Sequence, residues 1–217
     1  MEERKGHAME EEDSGVGRLP ALPPDYATVQ KMIDDAHAED PKTVTVTGGV
    51  EVPCELRYAQ KMTRWLAVRC PDASPALQIA CRAQHFRRWE LPRDRYPMTR
   101  AGYLTWRARQ KTQAAEKIKA LLISSTSTLD VDRIAALVRK DNLAGDAETQ
   151  VLEDVACLVF LDDHFDDFDK RDDVDEAKMV NILRKTWAKM TPQGREIALG
   201  MRLSERAKAL VGKALQE

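Results

Sequence analysis

Apolar residues recur every three or four positions along most of the chain after residue 25, a spacing that predicts one helix after another. The first run places Tyr26, Val29, Met32, Ile33 and Ala36 on one face, with Asp25 as its cap and Pro41 beyond its end. Residues 43–52 break the rule. Thr-Val-Thr-Val-Thr-Gly-Gly-Val-Glu-Val alternates strictly around Gly48-Gly49, and because both glycines accept positive φ a small β-hairpin is expected near residues 44–52. After Pro53 the pattern is helical again: Leu56, Ala59, Met62, Thr63 and Leu66 form a stripe, and Ser74 caps a helix carrying Leu77, Ala80, Cys81 and Gln84. Pro92 and Pro97 interrupt. Thr99 opens a long helix to about residue 122, and further helices are expected near 130–140, 147–166, 174–190 and, as a pair, 192–215.

These segments predict an all-α fold, a single helical domain over residues 25–217 with one hairpin. No internal period of 20 to 50 residues suggests a solenoid. The expected core is Leu56, Met62, Leu77, Ala80, Cys81, Leu152, Val155, Leu158, Val159, Ile182 and Leu183. Residues 1–24 hold six acids and three bases and end in Leu-Pro-Ala-Leu-Pro-Pro. That composition buries too little surface to offset its ordering entropy, so a disordered tail is expected.

Charge narrows the function classes. Across 217 residues, 34 Lys and Arg stand against 36 Asp and Glu, so bulk nucleic-acid binding is not expected. The longest apolar run, Val155–Leu161, is far short of the roughly 20 residues that span a bilayer, and no membrane partner is expected. Cys54, Cys70, Cys81 and Cys157 form no CxxC pair, and the last two read as buried thiols of a reducing compartment. The start, Met-Glu-Glu-Arg-Lys, lacks the apolar segment of a signal peptide, so the expected location is cytoplasmic, with nuclear access open.

The charges are also segregated. Residues 82–119 carry eleven bases and three acids; residues 153–176 carry eleven acids and two bases. The two blocks either neutralise each other across a helix interface or form an anion site beside carboxylates. Within the basic block, Cys81, Gln84 and Arg88 share one face of an expected helix, and Arg82, His85 and Trp89 share the next. A histidine between two arginines stays neutral unless a carboxylate opposes it, and a neutral imidazole serves as base or ligand while arginines fork onto an anion. The alternative is a half-buried histidine in a salt-bridged helix. In the acidic block, Glu153 and Asp154 precede seven apolar residues on a central helix. An inward acid needs a partner, for which His85, Arg82 and Arg88 are the natural candidates; otherwise both acids are exposed first-turn residues. His37 either caps the end of the first helix or reaches the site, and His164 sits in an acidic, solvated segment without calcium-loop spacing. P-loop, GxGxxG, HExxH and GxSxG motifs are all absent.

The stretch Ile-Asp-Asp-Ala-His-Ala-Glu-Asp-Pro at residues 33–41 resembles a domain-of-unknown-function family, number 4202, of microbial proteins, some labelled glutamyl-tRNA synthetase-like. The similarity continues through residues 55–62, 82–90, 96–103, 152–161 and 183–187. More distantly, residues 58–62 followed by 77–86 are similar to the helix pair of the HD phosphohydrolase superfamily. That superfamily binds a divalent metal through a histidine, a His-Asp pair and a later aspartate. The matching positions here are Tyr58, Gln84-His85 and Asp154, of which the last alone keeps its ligand type. The resemblance implies an HD-like helical frame and a divalent metal ion as a cofactor.

Three functions are therefore weighed. The first is an HD-like hydrolase with altered site residues, acting on a small phosphorylated or nucleotide-like substrate. There His85 is base or ligand, Glu153 and Asp154 orient water or metal, and Arg82 and Arg88 hold the anion. Tyr58 donates a hydrogen bond, and Gln84, Trp89 and His37 complete the substrate contacts. The second is a non-catalytic receptor for a small anionic ligand or nucleotide on the same frame. The third is a structural interaction protein whose charge blocks fix helix packing.

Overall fold

A computed structural model of the chain describes residues 17–46, 48–125, 129–169 and 175–215, the stretch 164–169 by backbone alone. The described residues form α1 (Pro24–His37), strands β1 (Thr43–Thr45) and β2 (Glu51–Pro53), α2 (Cys54–Arg69), α3 (Pro75–Arg82) and α4 (Arg100–Ser125). The second half holds α5 (Val131–Arg139), α6 (Ala147–Asp169), α7 (Glu176–Trp187), α8 (Pro192–Leu199) and α9 (Glu205–Leu215). The all-α architecture and its hairpin stand as expected. Thr43 pairs with Pro53, Val44 with Val52 and Thr45 with Glu51, antiparallel. Gly48 and Gly49 turn the chain at φ 90° and 78°, a region that favours glycine.

Helix starts follow ordinary capping chemistry. Pro24 fills the first position of α1, where a missing N–H costs nothing, so Asp25 lies in the first turn rather than at the cap. Ser74 Oγ accepts from Leu77 N at 3.1 Å at the head of α3, as its sequence position predicts. Thr99 Oγ1 accepts from Gly102 N at 3.1 Å at the head of α4. Glycine is required at 102, because a Cβ there would lie 2.1 Å from Pro97 O.

Helix α6 is the centre of the molecule, with α2, α3, α5, α8 and α9 packed around it; α4 lies on α5, and α1 on α2 and α3. Leu152, Val155, Leu158 and Val159 of α6 join Met62, Leu66, Leu77, Ala80 and Cys81 in one buried cluster. Leu56 and Ile182, both expected in that core, are only partly buried. In α2 the expected residues Ala59, Met62 and Leu66 do face inward, but at the start of the helix Glu55 is buried in place of Leu56. In α7, Leu183 and Thr186 turn inward instead of Ile182.

Of the expected tail, residues 1–16 lie outside the described residues. Residues 17–23 form neither helix nor strand, yet Leu19 and Leu22 rest on the core and Gln78 Nε2 donates to Pro20 O at 3.2 Å. All four cysteines are free, and burial pushes the Cys157 thiol up to about 12. Among the described residues no helix is long and apolar enough to cross a membrane.

Candidate functional site

The site is built on the segment that follows α3. The helix expected to run on toward Glu90 stops at Arg82, and the chain then turns through His85 at φ 63° and Arg87 at φ 52°. Left-handed backbone at two non-glycine residues is strained, and such strain persists only where neighbouring structure imposes it. The faces drawn for a continuous helix, Gln84 with Arg88 and Arg82 with His85 and Trp89, therefore do not exist.

The end of α1 and the start of α2 impose the turn. Arg82 donates through Nε and Nη2 to the Asp34 carboxylate at 2.6 and 2.9 Å, and through Nη1 to Thr63 Oγ1 at 3.0 Å. His37, fully buried, donates from Nε2 to Arg82 O at 3.0 Å, while its Nδ1 lies 3.3 Å from Glu55 Oε2. A carbonyl only accepts, so Nε2 carries the ring proton that meets Arg82 O, and Nδ1 faces the Glu55 carboxyl. Burial raises Glu55, and the hydrogen bond from His37 opposes that rise. The other oxygen, Glu55 Oε1, accepts from Trp89 N at 3.2 Å. Glu39 pairs with Arg87 at 2.5 Å. From the far side, Gln110 Nε2 of α4 donates to Arg88 O at 3.2 Å and to Leu91 O at 2.7 Å, and Trp106 Nε1 donates to Leu91 O at 2.9 Å. The acidic motif at residues 34–40 thus serves as the clamp that shapes this turn.

What the turn presents is a basic basin. The His85 ring stacks on Tyr58, with centroids 4.2 Å apart and planes at 17°. Arg88 Nη1 lies 3.2 Å from His85 Nε2 and its Cζ 4.9 Å from the Trp106 ring centre. A guanidinium only donates, so the imidazole offers it a lone pair and is neutral. Burial first, then the charges of Arg88, Arg107 and Lys140, hold the His85 pKa well below its ordinary value. Desolvation and the charge of Arg107 likewise push Arg88 down. Lys111, one turn beyond Arg107 and more exposed, is lowered by desolvation and then by Lys140. Burial keeps the Tyr58 phenol protonated.

The nearby carboxylates are already committed. Glu153 accepts from Lys140 Nζ at 2.6 Å, with both side chains about nine-tenths buried, and lies 3.8 Å from Lys189 Nζ. Burial would raise Glu153, but Lys140, Lys189 and Lys111 outweigh it and hold the carboxyl below its usual value. Asp163 pairs with Lys61 at 2.6 Å. Arg69, Arg82, Arg87, Arg133 and Arg139 each have a carboxylate partner. Among the described residues, Arg107 and Lys111 have no hydrogen-bonded partner, Arg88 bonds only through Nη1, and the Tyr58 hydroxyl has no acceptor.

The expected site residues therefore divide. Tyr58, His85 and Arg88 meet, with Glu153 at the basin's edge through Lys140. Arg82 and His37 stand behind the turn as its clamp, and Gln84 is buried with its amide on Ala80 O at 3.4 Å. Trp89 lies on the other side of Arg88, in a cleft of about 290 Å³ shared with Trp106. Asp154 is fully buried, as an acid on a central helix can be, but its partners are Arg69 Nε at 2.8 Å and Thr191 N and Oγ1 at 2.8 and 2.5 Å. A Cβ at Gly194 would fall 2.7 Å from Asp154 Cγ, which shows how tightly α8 closes over that carboxylate. No ion pair among the described residues joins 82–119 to 153–176, although the charge of Lys111 helps hold Glu153 down; the acids from Asp166 to Asp173 have their side chains outside the described residues. His164 has its side chain outside the described residues.

The positions that match HD-type ligands do not fit a divalent metal. Tyr58 is a protonated phenol, Gln84 is turned to a helix carbonyl, and Asp154 is saturated by a guanidinium and a threonine. Among the described residues no group of three or more His, Cys, Asp or Glu converges as metal ligands do. Arg107, Lys111 and Lys140 escaped the sequence reading; the i, i+4 spacing of Arg107 and Lys111 in the basic block was the available signal.

No curated protein and no solved structure matches the chain. The model of the family described as "Domain of unknown function (DUF4202)" matches residues 27–211, from α1 into α9, and the chain belongs to that family.

Proposed function

We propose that the chain is a receptor for a small phosphorylated molecule, whose phosphate is held in the basin by Arg88, Arg107, Lys111, the Tyr58 hydroxyl and the N–H of neutral His85. One observation carries the reading. Arg88 and Arg107 share a half-buried space with no carboxylate at ion-pair distance from either, whereas Arg69, Arg82 and Arg133 are each matched to an acid. Two like charges so placed repel, and a bound phosphate removes that repulsion while accepting from both guanidinium forks. Binding is favoured over hydrolysis because the acids of the hydrolase reading are occupied: Asp154 by Arg69 and Thr191, Glu153 by Lys140.

Calorimetric titration of the purified chain with pyrophosphate tests this, run beside a phosphoester and nucleotide hydrolysis screen. The expected result is saturable binding that weakens as salt is raised, lost in Arg107→Ala, with no turnover. Turnover abolished by His85→Ala would replace the receptor reading with a catalytic one. Absence of binding in the wild-type chain would end the reading.

A further inference from the structure

We propose that the cleft between Trp89 and Trp106 receives a planar heterocycle belonging to the same ligand, which makes that ligand a nucleotide. The inference rests on the phosphate reading, because Arg88 is common to both sites. Its Nη1 reaches His85 in the basin, its Cζ lies 4.9 Å from the Trp106 ring centre, and its side chain forms one wall of the cleft. A phosphate in the basin therefore has the cleft directly beside it.

Three properties of the cleft select a heterocycle. Its apolar lining is Trp89, Trp106, Leu91 and Pro92, and the half-buried Trp89 offers the ring for stacking, because Trp106 is nearly buried and carries the Arg88 guanidinium over its ring. A flat aromatic wall favours a stacked ring over an alkyl chain. Its rim carries both hydrogen-bonding senses. Asp40 and Glu55 line it as acceptors; each of their oxygens takes one bond from within the protein and keeps a second lone pair. Lys42, also in the lining, and the Trp89 indole N–H are donors with no protein acceptor among the described residues. A ring bearing both an amino group and a ring nitrogen uses both kinds of group, whereas a phenyl ring leaves them unmet. Finally, about 290 Å³ lies just below the roughly 300–1,000 Å³ of small-molecule sites, which leaves room for a single base and not for a longer molecule.

The cleft is also stiff. Trp89 N is bound to Glu55, Trp106 Nε1 to Leu91 O, and Arg93 donates to Tyr96 O at 2.9 Å and Pro97 O at 2.8 Å. A site held this way loses little freedom when occupied.

The test measures binding of inorganic phosphate, ribose 5-phosphate and adenosine monophosphate to the full chain, by calorimetry and by quenching of tryptophan fluorescence. The nucleotide is expected to bind at least about tenfold more tightly than either of the others, in line with the gain from stacking a base on an aromatic side chain. Trp89→Ala should bring the nucleotide to the level of ribose 5-phosphate and leave inorganic phosphate unchanged, and Trp89→Phe should restore most of the difference. Equal affinity for the nucleotide and ribose 5-phosphate in the wild-type chain overturns this inference while leaving the receptor intact. So does a Trp89→Ala effect of equal size on inorganic phosphate. Failure of all three ligands to bind overturns the receptor reading, and this inference with it.

Discussion

Asp34 and Arg82, 48 residues apart, are joined by two parallel hydrogen bonds of 2.6 and 2.9 Å, and this pairing marks where α3 ends and the His85 turn begins. Arg82 is almost buried and Asp34 about one quarter exposed. The pair therefore behaves as a buried clamp whose loss strands a guanidinium.

Asp34→Asn keeps the shape and removes the charge. It should cost about 3 kcal/mol or somewhat less, the lower part of the range for breaking a buried ion pair. Because the clamp shapes the turn, pyrophosphate affinity should also fall although Asp34 lies outside the basin. Denaturant unfolding and calorimetry on the same preparation check both. Unchanged affinity with lowered stability would mean the turn holds its shape without Asp34.

Much of the fold was legible because its signals are local. Strict alternation around Gly48-Gly49, the Ser74 and Thr99 caps and the apolar run of α6 each need only a few neighbouring residues. The turn at His85 was not legible. No glycine or proline marks it; the left-handed residues are His and Arg, set by contacts from α1, α2 and α4. The burial of Glu55 at the start of α2 was missed for the same reason, since it is drawn in by His37 and Trp89 N rather than by its own hydrophobicity. That His85 and Arg88 belong to one site was readable from the density of donors, whereas Tyr58 was placed with them only by the resemblance to a known helix pair. The cation facing Asp154 was not, because Arg69 lies 85 residues away and nothing local distinguishes it from its neighbours.

Asp154→Asn separates a structural acid from a catalytic one. With Arg69 left uncompensated in the core, stability should fall by about 3–5 kcal/mol, and the folded fraction should bind pyrophosphate as before. A variant of full stability with lost ligand binding would place Asp154 in the site after all.

Asp146 governs part of the acid sensitivity. Its hydrogen bonds from Arg133, and then from Thr149 N at 2.9 Å, hold the carboxyl well below the usual carboxylate range. A folded value lowered in this way adds stability that is complete above the unfolded value of about 3.9 and is lost as pH falls through the folded value. Asn caps helices as well as Asp, so Asp146→Asn removes the charge and spares the cap of α6. The variant should be about 1–2 kcal/mol less stable at pH 6, and the gap should close as pH drops below 4. A gap that does not narrow between pH 4 and pH 2.5 would assign the effect to geometry instead of ionisation.

The account turns on a neutral His85 facing cations that await an anion. Nuclear magnetic resonance titration of the His85 ring, assigned with His85→Ala, measures this directly with and without pyrophosphate. The ring should titrate well below the ordinary value of about 6.5 in the free protein. With pyrophosphate bound, its midpoint should move upward, as the ligand's charge offsets Arg88, Arg107 and Lys140. Arg107→Ala should raise the free midpoint and abolish most of the ligand-induced shift. A His85 that titrates near its ordinary value, unmoved by pyrophosphate, would contradict the account.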